Sequence, residues 1–294
     1  MGTVILQAVI SGLMMGGVYG MLAVGMSLVL GVAGISQLVH GDMLMLAMYF
    51  TLGVVTLFGM DPYLAIVIVF PLMLLFGVFT FKIFPRIQKI VNLTGMKQLL
   101  FMLGFSYFLQ NSVLAVVGST NYTLYSVVTE FDLNIFNIYL SSTRFLAGVV
   151  SIVFMIILMW VINKTDLGRS IRAASQDKDA AAMMGINPNR AYMIAWVICV
   201  GSLGVAAPML TSIYTFYPYV AVFWQMMAFM SVVLGGLGNI FAALVGGVIM
   251  SVALEMGNVF LPGSLAPAVP FIIFVIVLLI KPEGIFGEAT RGAK

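Results

Sequence analysis

The residues able to do acid–base, nucleophilic or metal chemistry are few and scattered: one histidine, His40, one cysteine, Cys199, and ten carboxylates in 294 residues. A hydrolytic triad needs a nucleophile, a base and an acid that orients the base, and a lone histidine offers no such set here. No Cys/His cluster has the spacing of a metal site. No G-x-x-x-x-G-K-[ST] loop is present, so the chain cannot hold ATP in the Walker fashion; if it pumps, another subunit supplies the energy. An enzyme is therefore not expected, and neither is a cofactor or metal. Cys199 lies in an apolar segment and has no second cysteine to pair with. The charged residues that remain of interest are isolated. In His40-Gly41-Asp42, at the foot of an apolar helix, Asp42 gains from the helix dipole and His40 has neighbours to hydrogen-bond. A structural role for the pair is preferred over a gate. Glu255 is the only charge between Arg190 and Lys281. An acid within a membrane span is a functional hypothesis by default, yet a place near the outer end of its helix gives it access to water, and both readings stand.

The elements that must position these residues are set by composition. The chain is 62% hydrophobic and 8% charged, with mean hydropathy +1.15, whereas soluble domains carry about 25% charged residues. The expected fold is an all-α, polytopic membrane protein forming one transmembrane domain over residues 1–294, its length sufficing for eight to ten passes of about 20 residues. Residues 4 to 32 carry no charge, and no basic region precedes Lys82, so an uncut first span is expected. Gly12, Gly16 and Gly20, with Ala23, Ser27 and Gly31, give that span a small-residue face for close helix packing. Further spans are expected over about 43–60, 63–84, 98–118, 144–163 and 191–215, the last with Pro208 as a kink, then over 220–237, the Gly246-Gly247 segment and 265–281.

The longest polar interval, residues 164 to 190, reads as folded. Thr165 or Asp166 can cap a helix through Ala174, and Gln176 or Asp177 a second one to Met184. Gly185 falls where a left-handed residue ends a helix, with Ile186 placed for the apolar contact that follows, and Asn187-Pro188 caps and starts the next span. Five basic residues against three acidic ones put the interval in the cytoplasm.

Within that interval, Leu167-Gly168-Arg169, Arg172-Ala173, Ala180-Ala181 and Gly185-Ile186-Asn187 resemble the cytoplasmic coupling loop of the LivH/LivM-type permeases, the membrane subunits of branched-chain amino acid ABC importers. Two further stretches follow in that family's order. Ala228-Phe229 with Val233-Leu234-Gly235-Gly236-x-Gly238 and Gly246-Gly247 is similar to its core pattern, although Met227 and Phe241 replace a frequent lysine and proline. Lys281-Pro282-Glu283-Gly284-Ile285-Phe286-Gly287 resembles its tail. His40-Gly41-Asp42 matches its His-Gly-acidic signature, but Gln37-Leu38-Val39 replaces the usual Asn-Phe-Ala.

The resemblance implies a permease in a bacterial cytoplasmic (inner) membrane, paired with a second, LivM-like permease, two ATP-binding subunits and an extracytoplasmic solute-binding protein, with no role for nucleic acid. It implies docking of the ATPase on residues 164–190, with Gly168, Arg169, Arg172, Asp177, Lys178, Ala181 and Gly185 as the coupling set. The run Gly235 to Gly238 should open the backbone, and Ser231, Gly235, Gly236, Gly238 and Asn239 are expected to line the route, with opened carbonyls as passing partners. Twelve of the thirteen Lys and Arg fall in 82–97, 164–190 and 281–294, leaving Arg144. About nine crossings with the N-terminus outside put all three intervals inside, provided residues 220–237 are not re-entrant. The expected cargo is a branched-chain or other amino acid. The alternative is a stand-alone channel or secondary transporter for a small neutral solute such as urea or an amide, for which Glu255 is the one available intramembrane relay.

Overall fold

A computed structural model of the chain describes residues 1–33, 37–91, 96–127, 133–135 and 138–287. The acidic loop residues Glu130 and Asp132 and the terminal Arg291 and Lys294 lie outside them. In chain order the elements are α1 (Gly2–Ala33), α2 (His40–Phe58), α3 (Pro62–Val91), α4 (Met96–Val117), β1 (Leu133–Ile135), β2 (Ile138–Leu140), α5 (Ser142–Lys164), α6 (Asp166–Gln176), α7 (Lys178–Met183), α8 (Pro188–Ile213), α9 (Val220–Gly235), α10 (Ile240–Phe260) and α11 (Ala268–Ile280). The all-α polytopic architecture holds. The antiparallel β1–β2 ribbon, within the long polar connection before α5, is a local exception. Seven helices among the described residues are long and apolar enough to cross a membrane, and α9 and α11 are shorter apolar helices. Helix ends differ from the sequence expectation by a few residues; the consequential case is α2, which starts at His40 and so takes the histidine and Asp42 into its first turn.

The chain divides into two compact units. One comprises Met1–Ser27, Thr129–Met155 and Met227–Lys294; the other comprises Leu28–Val128 and Ile156–Met226. In the first, α1 and α10 run antiparallel in very close contact. A Cβ added to Gly12, Gly16 or Gly20 would approach Val252, Val248 or Leu244 to 2.6, 2.9 and 2.4 Å respectively. Positions four apart on α1 thus meet positions four apart on α10. That is the packing expected of the small-residue stripe, since lipid-embedded helices gain association energy from van der Waals contact at short axial separation. From the other side Gly246 of α10 meets α9, where a Cβ would lie 2.0 Å from the Ser231 carbonyl oxygen.

In the second unit the dominant pair is α3 and α8. Gly201 and Gly204 let Phe70, Met73 and Leu74 approach, and the indole nitrogen of Trp196 donates to Thr80 Oγ1 at 3.0 Å. Edge-to-face rings of Phe84, Phe105 and Trp196 extend the contact, with centroids 5.0 to 5.7 Å apart. Helix α8 continues unbroken through Pro208. The Thr211 and Ser212 hydroxyls both donate to the Pro208 carbonyl, adding side-chain bonds one turn beyond the missing proline N–H.

Candidate functional site

The polar interval folds as α6 and α7, and each cap has a visible cause. The Thr165 side chain accepts from the Gly168 N–H at 3.4 Å, so Thr165 rather than Asp166 starts α6. Asp177 ends α6 and begins α7, its carboxylate accepting from the N–H groups of Asp179 and Ala180, both at 2.9 Å. Gly185 has φ +81°; its N–H donates to the Ala182 carbonyl while that of Ile186 reaches back to Ala181. This double closure is a Schellman ending, and it needs the left-handed backbone that glycine adopts without a Cβ penalty. Asn187 then caps α8 by accepting from the Arg190 N–H at 3.2 Å, with Pro188 in the first helical position.

The element is seated as well as folded. Ile171 and Ala174 of α6 are buried against Ala191 and Ala195 of α8. Gly168 packs on the last turn of α5 so closely that a Cβ would sit 1.9 Å from the Ile162 carbonyl oxygen. Arg172 donates to that same oxygen. A helix leaves its final carbonyls without intrahelical donors, and a guanidinium is a good substitute because it brings both hydrogen bond and positive charge to the negative end of the dipole. Gly168 and Arg172 therefore fix α6 to α5, while Ala181 is buried in α7. Arg169 pairs with Asp166 on the exposed side, and Asp177 and Lys178 are exposed. Met183 and Met184, which the sequence reading did not single out, are each 82% exposed at the tip. The signal was available in two adjacent large apolar residues inside an otherwise polar interval.

Around Gly235 the backbone leaves the helix, as the glycine run predicts: α9 ends at Gly235, and Gly236 and Gly238 have φ +125° and +82°. The freed carbonyls are not open, however. Leu234 and Gly235 accept from the N–H groups of Ile285 and Phe286 at 2.8 and 3.0 Å, so the tail closes over the turn. Gly284 makes room for this, lying so near the turn that a Cβ would meet the Val233 carbonyl oxygen at 2.5 Å. Ser231 is fully buried, its hydroxyl donating to Met227 at 2.7 Å, and a Cβ on Gly235 would stand 2.1 Å from the Ala242 carbonyl oxygen. Within this unit Ser231, Gly235 and Gly236 are thus packing positions of the turn. Gly238 is exposed, and Asn239 is the cap of α10, accepting from Ala242 at 3.1 Å.

His40 and Asp42 belong to a buried polar cluster in the other unit. Val39 offers no side chain to cap α2, and Gln225 of α9 does so from a distance in sequence, accepting from the Gly41 N–H at 2.8 Å and donating to the Gln37 carbonyl at 3.0 Å. Asp42 accepts from Gln110 Nε2 at 2.7 Å. His40 Nδ1 is 3.5 Å from the Cys199 sulfur. A cavity of about 240 Å³ adjoins Asp42, Ser106, Gln110 and Gln225. The two glutamines are the residues that sequence reasoning missed here; an amide inside an apolar span is itself the clue, because it must find partners there. Glu255, held open above between a functional and a solvated role, is 7% exposed and forms an ion pair with Arg144 at 2.9 Å.

Comparison with known proteins covers nearly the whole chain. Residues 8–278 match the family described as branched-chain amino acid transport system / permease component. The chain is 28% identical to the high-affinity branched-chain amino acid transport system permease protein LivH of Escherichia coli (strain K12), over 96% of each chain. It is equally similar, with the same coverage, to the corresponding permease protein BraD of Pseudomonas aeruginosa. It is 25% identical to a probable branched-chain amino acid transport permease LivH of Methanocaldococcus jannaschii, over 93% of this chain and 90% of that one. No solved structure matches it. With a family match running from α1 into α11, over spans built for lipid and a capped polar element between α5 and α8, the chain belongs to the branched-chain amino acid transport permease family and is a multi-pass membrane transport subunit, not an enzyme.

Proposed function

We propose that this permease is one half of the transmembrane pair of an ATP-binding cassette importer in a bacterial inner membrane, passing a branched-chain or other apolar amino acid from an extracytoplasmic binding protein to the cytoplasm. Its partners in this reading are a second, LivM-like permease and two ATP-binding subunits, and the whole chain acts as one transmembrane domain. The α6–α7 element is the surface on which an ATPase docks. One observation carries this: a 27-residue interval in a chain of otherwise apolar helices has each terminus capped and one face buried, and yet presents Met183 and Met184 to solvent. Exposed adjacent methionines on a rigid support are suited to insertion into an apolar groove, since the thioether side chain adapts to the shape it meets. Arg169, Asp177 and Lys178 form the polar rim of that contact, and Gly168, Arg172, Ala181 and Gly185 hold the element in shape.

The test is purification of the complex from its native host. Two ATP-binding subunits should accompany the chain, and Met183→Asp with Met184→Asp should release them while leaving the permease in the membrane. Amino-acid uptake by proteoliposomes holding this chain alone, without ATPase or binding protein, would overturn the assignment.

A further inference from the structure

A cavity of about 470 Å³ lies within the first unit, where the start of α1, the start of α5 and the end of α10 come together. Its volume is inside the ~300–1,000 Å³ range of small-molecule sites. It contains two charges that stand far from any other in the sequence. Arg144 is the one basic residue outside the three clustered intervals, and Glu255 the one charge in residues 191–280. They face each other at 2.9 Å, with side chains 29% and 9% exposed, and Arg144 also donates to Ser11.

Such a pair is expensive where it stands. Withdrawing the Glu255 carboxylate from water costs several kcal/mol, and an apolar pair of like volume is often as stable or more so. The neighbouring contacts show that this bundle does not lack other means of cohesion: α1 and α10 already pack backbone against backbone a few residues deeper. What an opposed pair provides, and apolar residues cannot, is simultaneous recognition of a positive and a negative group. A guanidinium has five donors in a fork that matches a carboxylate, and a carboxylate accepts from an ammonium. A solute carrying both charges can exchange the internal pair for two new ones with no net charge left uncompensated. Ala8, Met14 and Val259 supply apolar wall beside the pair, and Asn258 a further polar contact.

We propose that Arg144 and Glu255 form a subsite for the zwitterionic head of an α-amino acid, Arg144 taking the carboxylate and Glu255 the ammonium, with an apolar side chain against the cavity wall. This rests on the reading that the cargo is an amino acid, and it assigns to this chain a binding step of its own. On the expected topology the cavity opens on the outer side, where cargo leaves the binding protein. A zwitterionic lipid headgroup has the same pair of charges and must be separated by experiment.

The experiment uses the whole importer complex in phosphatidylglycerol nanodiscs, with Val4→Cys, at an exposed position of the cavity lining, in a Cys199→Ser background, and follows alkylation by a small water-soluble thiol reagent. L-Leucine should slow alkylation, whereas 4-methylpentanoate and 3-methylbutylamine, each carrying one of the two charges, should not. Arg144→Gln should raise the half-protecting leucine concentration about tenfold or more, as loss of a charged hydrogen bond does. If that variant does not assemble, the comparison of leucine with its two singly charged analogues in the parent protein decides alone. Absence of protection in a complex that still takes up leucine would overturn this subsite and leave the importer reading intact; absence of all amino-acid uptake by an assembled complex would instead remove the reading on which it rests. Protection that appears on changing to phosphatidylethanolamine nanodiscs without leucine, and that leucine does not increase, would assign the cavity to lipid and overturn the proposal.

Discussion

Replacing Gly168 with alanine should detach the α6–α7 element from the helix that carries it, and the size of the effect follows from the geometry. The new Cβ would lie 1.9 Å from the Ile162 carbonyl oxygen and 2.4 Å from its carbon, against an ordinary contact of at least 3.4 Å, so α6 must retreat by 3.4 − 1.9 = 1.5 Å. Both partners are backbone, and no side-chain rotation relieves the overlap. Arg172 hydrogen-bonds that same oxygen, so the retreat breaks its bond too. Overpacking of this kind costs about 1–3 kcal/mol, and the loss of a charged hydrogen bond adds about 1.5–3 kcal/mol. Taking about 3 kcal/mol as the sum after partial relaxation, the seated fraction of α6 falls roughly 100-fold relative to the unseated one. Gly185→Ala is the control: nothing lies within 4 Å of its Cβ, so it bears only the left-handed backbone penalty, about 1 kcal/mol. In reconstituted complexes, amino acid transported per ATP hydrolysed should therefore drop far more for Gly168→Ala than for Gly185→Ala, and amide exchange should accelerate across residues 166–176 in the first variant alone. Equal ratios for the two variants, or exchange in α6 unchanged by Gly168→Ala, would refute the reasoning.

Asp177→Ala removes the side chain that satisfies two N–H groups of α7, costing about 1 kcal/mol of cap energy; Lys178→Ala should cost much less, and amide exchange at Asp179 and Ala180 would show the difference. Ser231→Cys in a Cys199→Ala background should remain unalkylated in every nucleotide state because that position is fully buried, whereas Asn239→Cys, on an exposed residue, should react; mass spectrometry of labelled protein reads both. Gly284→Val should open the tail from the turn at Gly235, since a Cβ there meets the Val233 carbonyl oxygen at 2.5 Å, and proteolysis beyond Lys281 should then accelerate.

Features governed by local backbone chemistry were legible from residue types. The caps at Thr165, Asp177 and Asn187 and the left-handed Gly185 each follow from a few adjacent residues, and the structure has all four. The stripe Gly12, Gly16, Gly20 announced a close helix contact but not its partner, because periodicity says which face packs and not what arrives there. Contacts between residues far apart in sequence were not legible. Gln225 caps α2 across 184 positions and Gln110 reaches Asp42 across 68. The same limit explains the Gly235 turn: its opening was readable from glycine content, but the donors that occupy the Leu234 and Gly235 carbonyls come from the tail, some fifty residues further on.

The division of the first unit into Met1–Ser27, Thr129–Met155 and Met227–Lys294 sets a schedule for biogenesis. Helix α1 leaves the ribosome ahead of α10, yet the α10 surface that fills its glycine face is made some two hundred residues later, and the tail that closes the Gly235 turn follows α10. At about 5–20 residues per second, synthesis of the intervening chain takes roughly 10–40 s. Every residue of the second unit, by contrast, has been made by Met226. A chain stalled between α9 and α10 therefore holds every residue of the second unit and an α1 whose glycine face is unfilled. Membrane quality control has a defined feature to read in such a chain: a helix whose small-residue face still touches lipid.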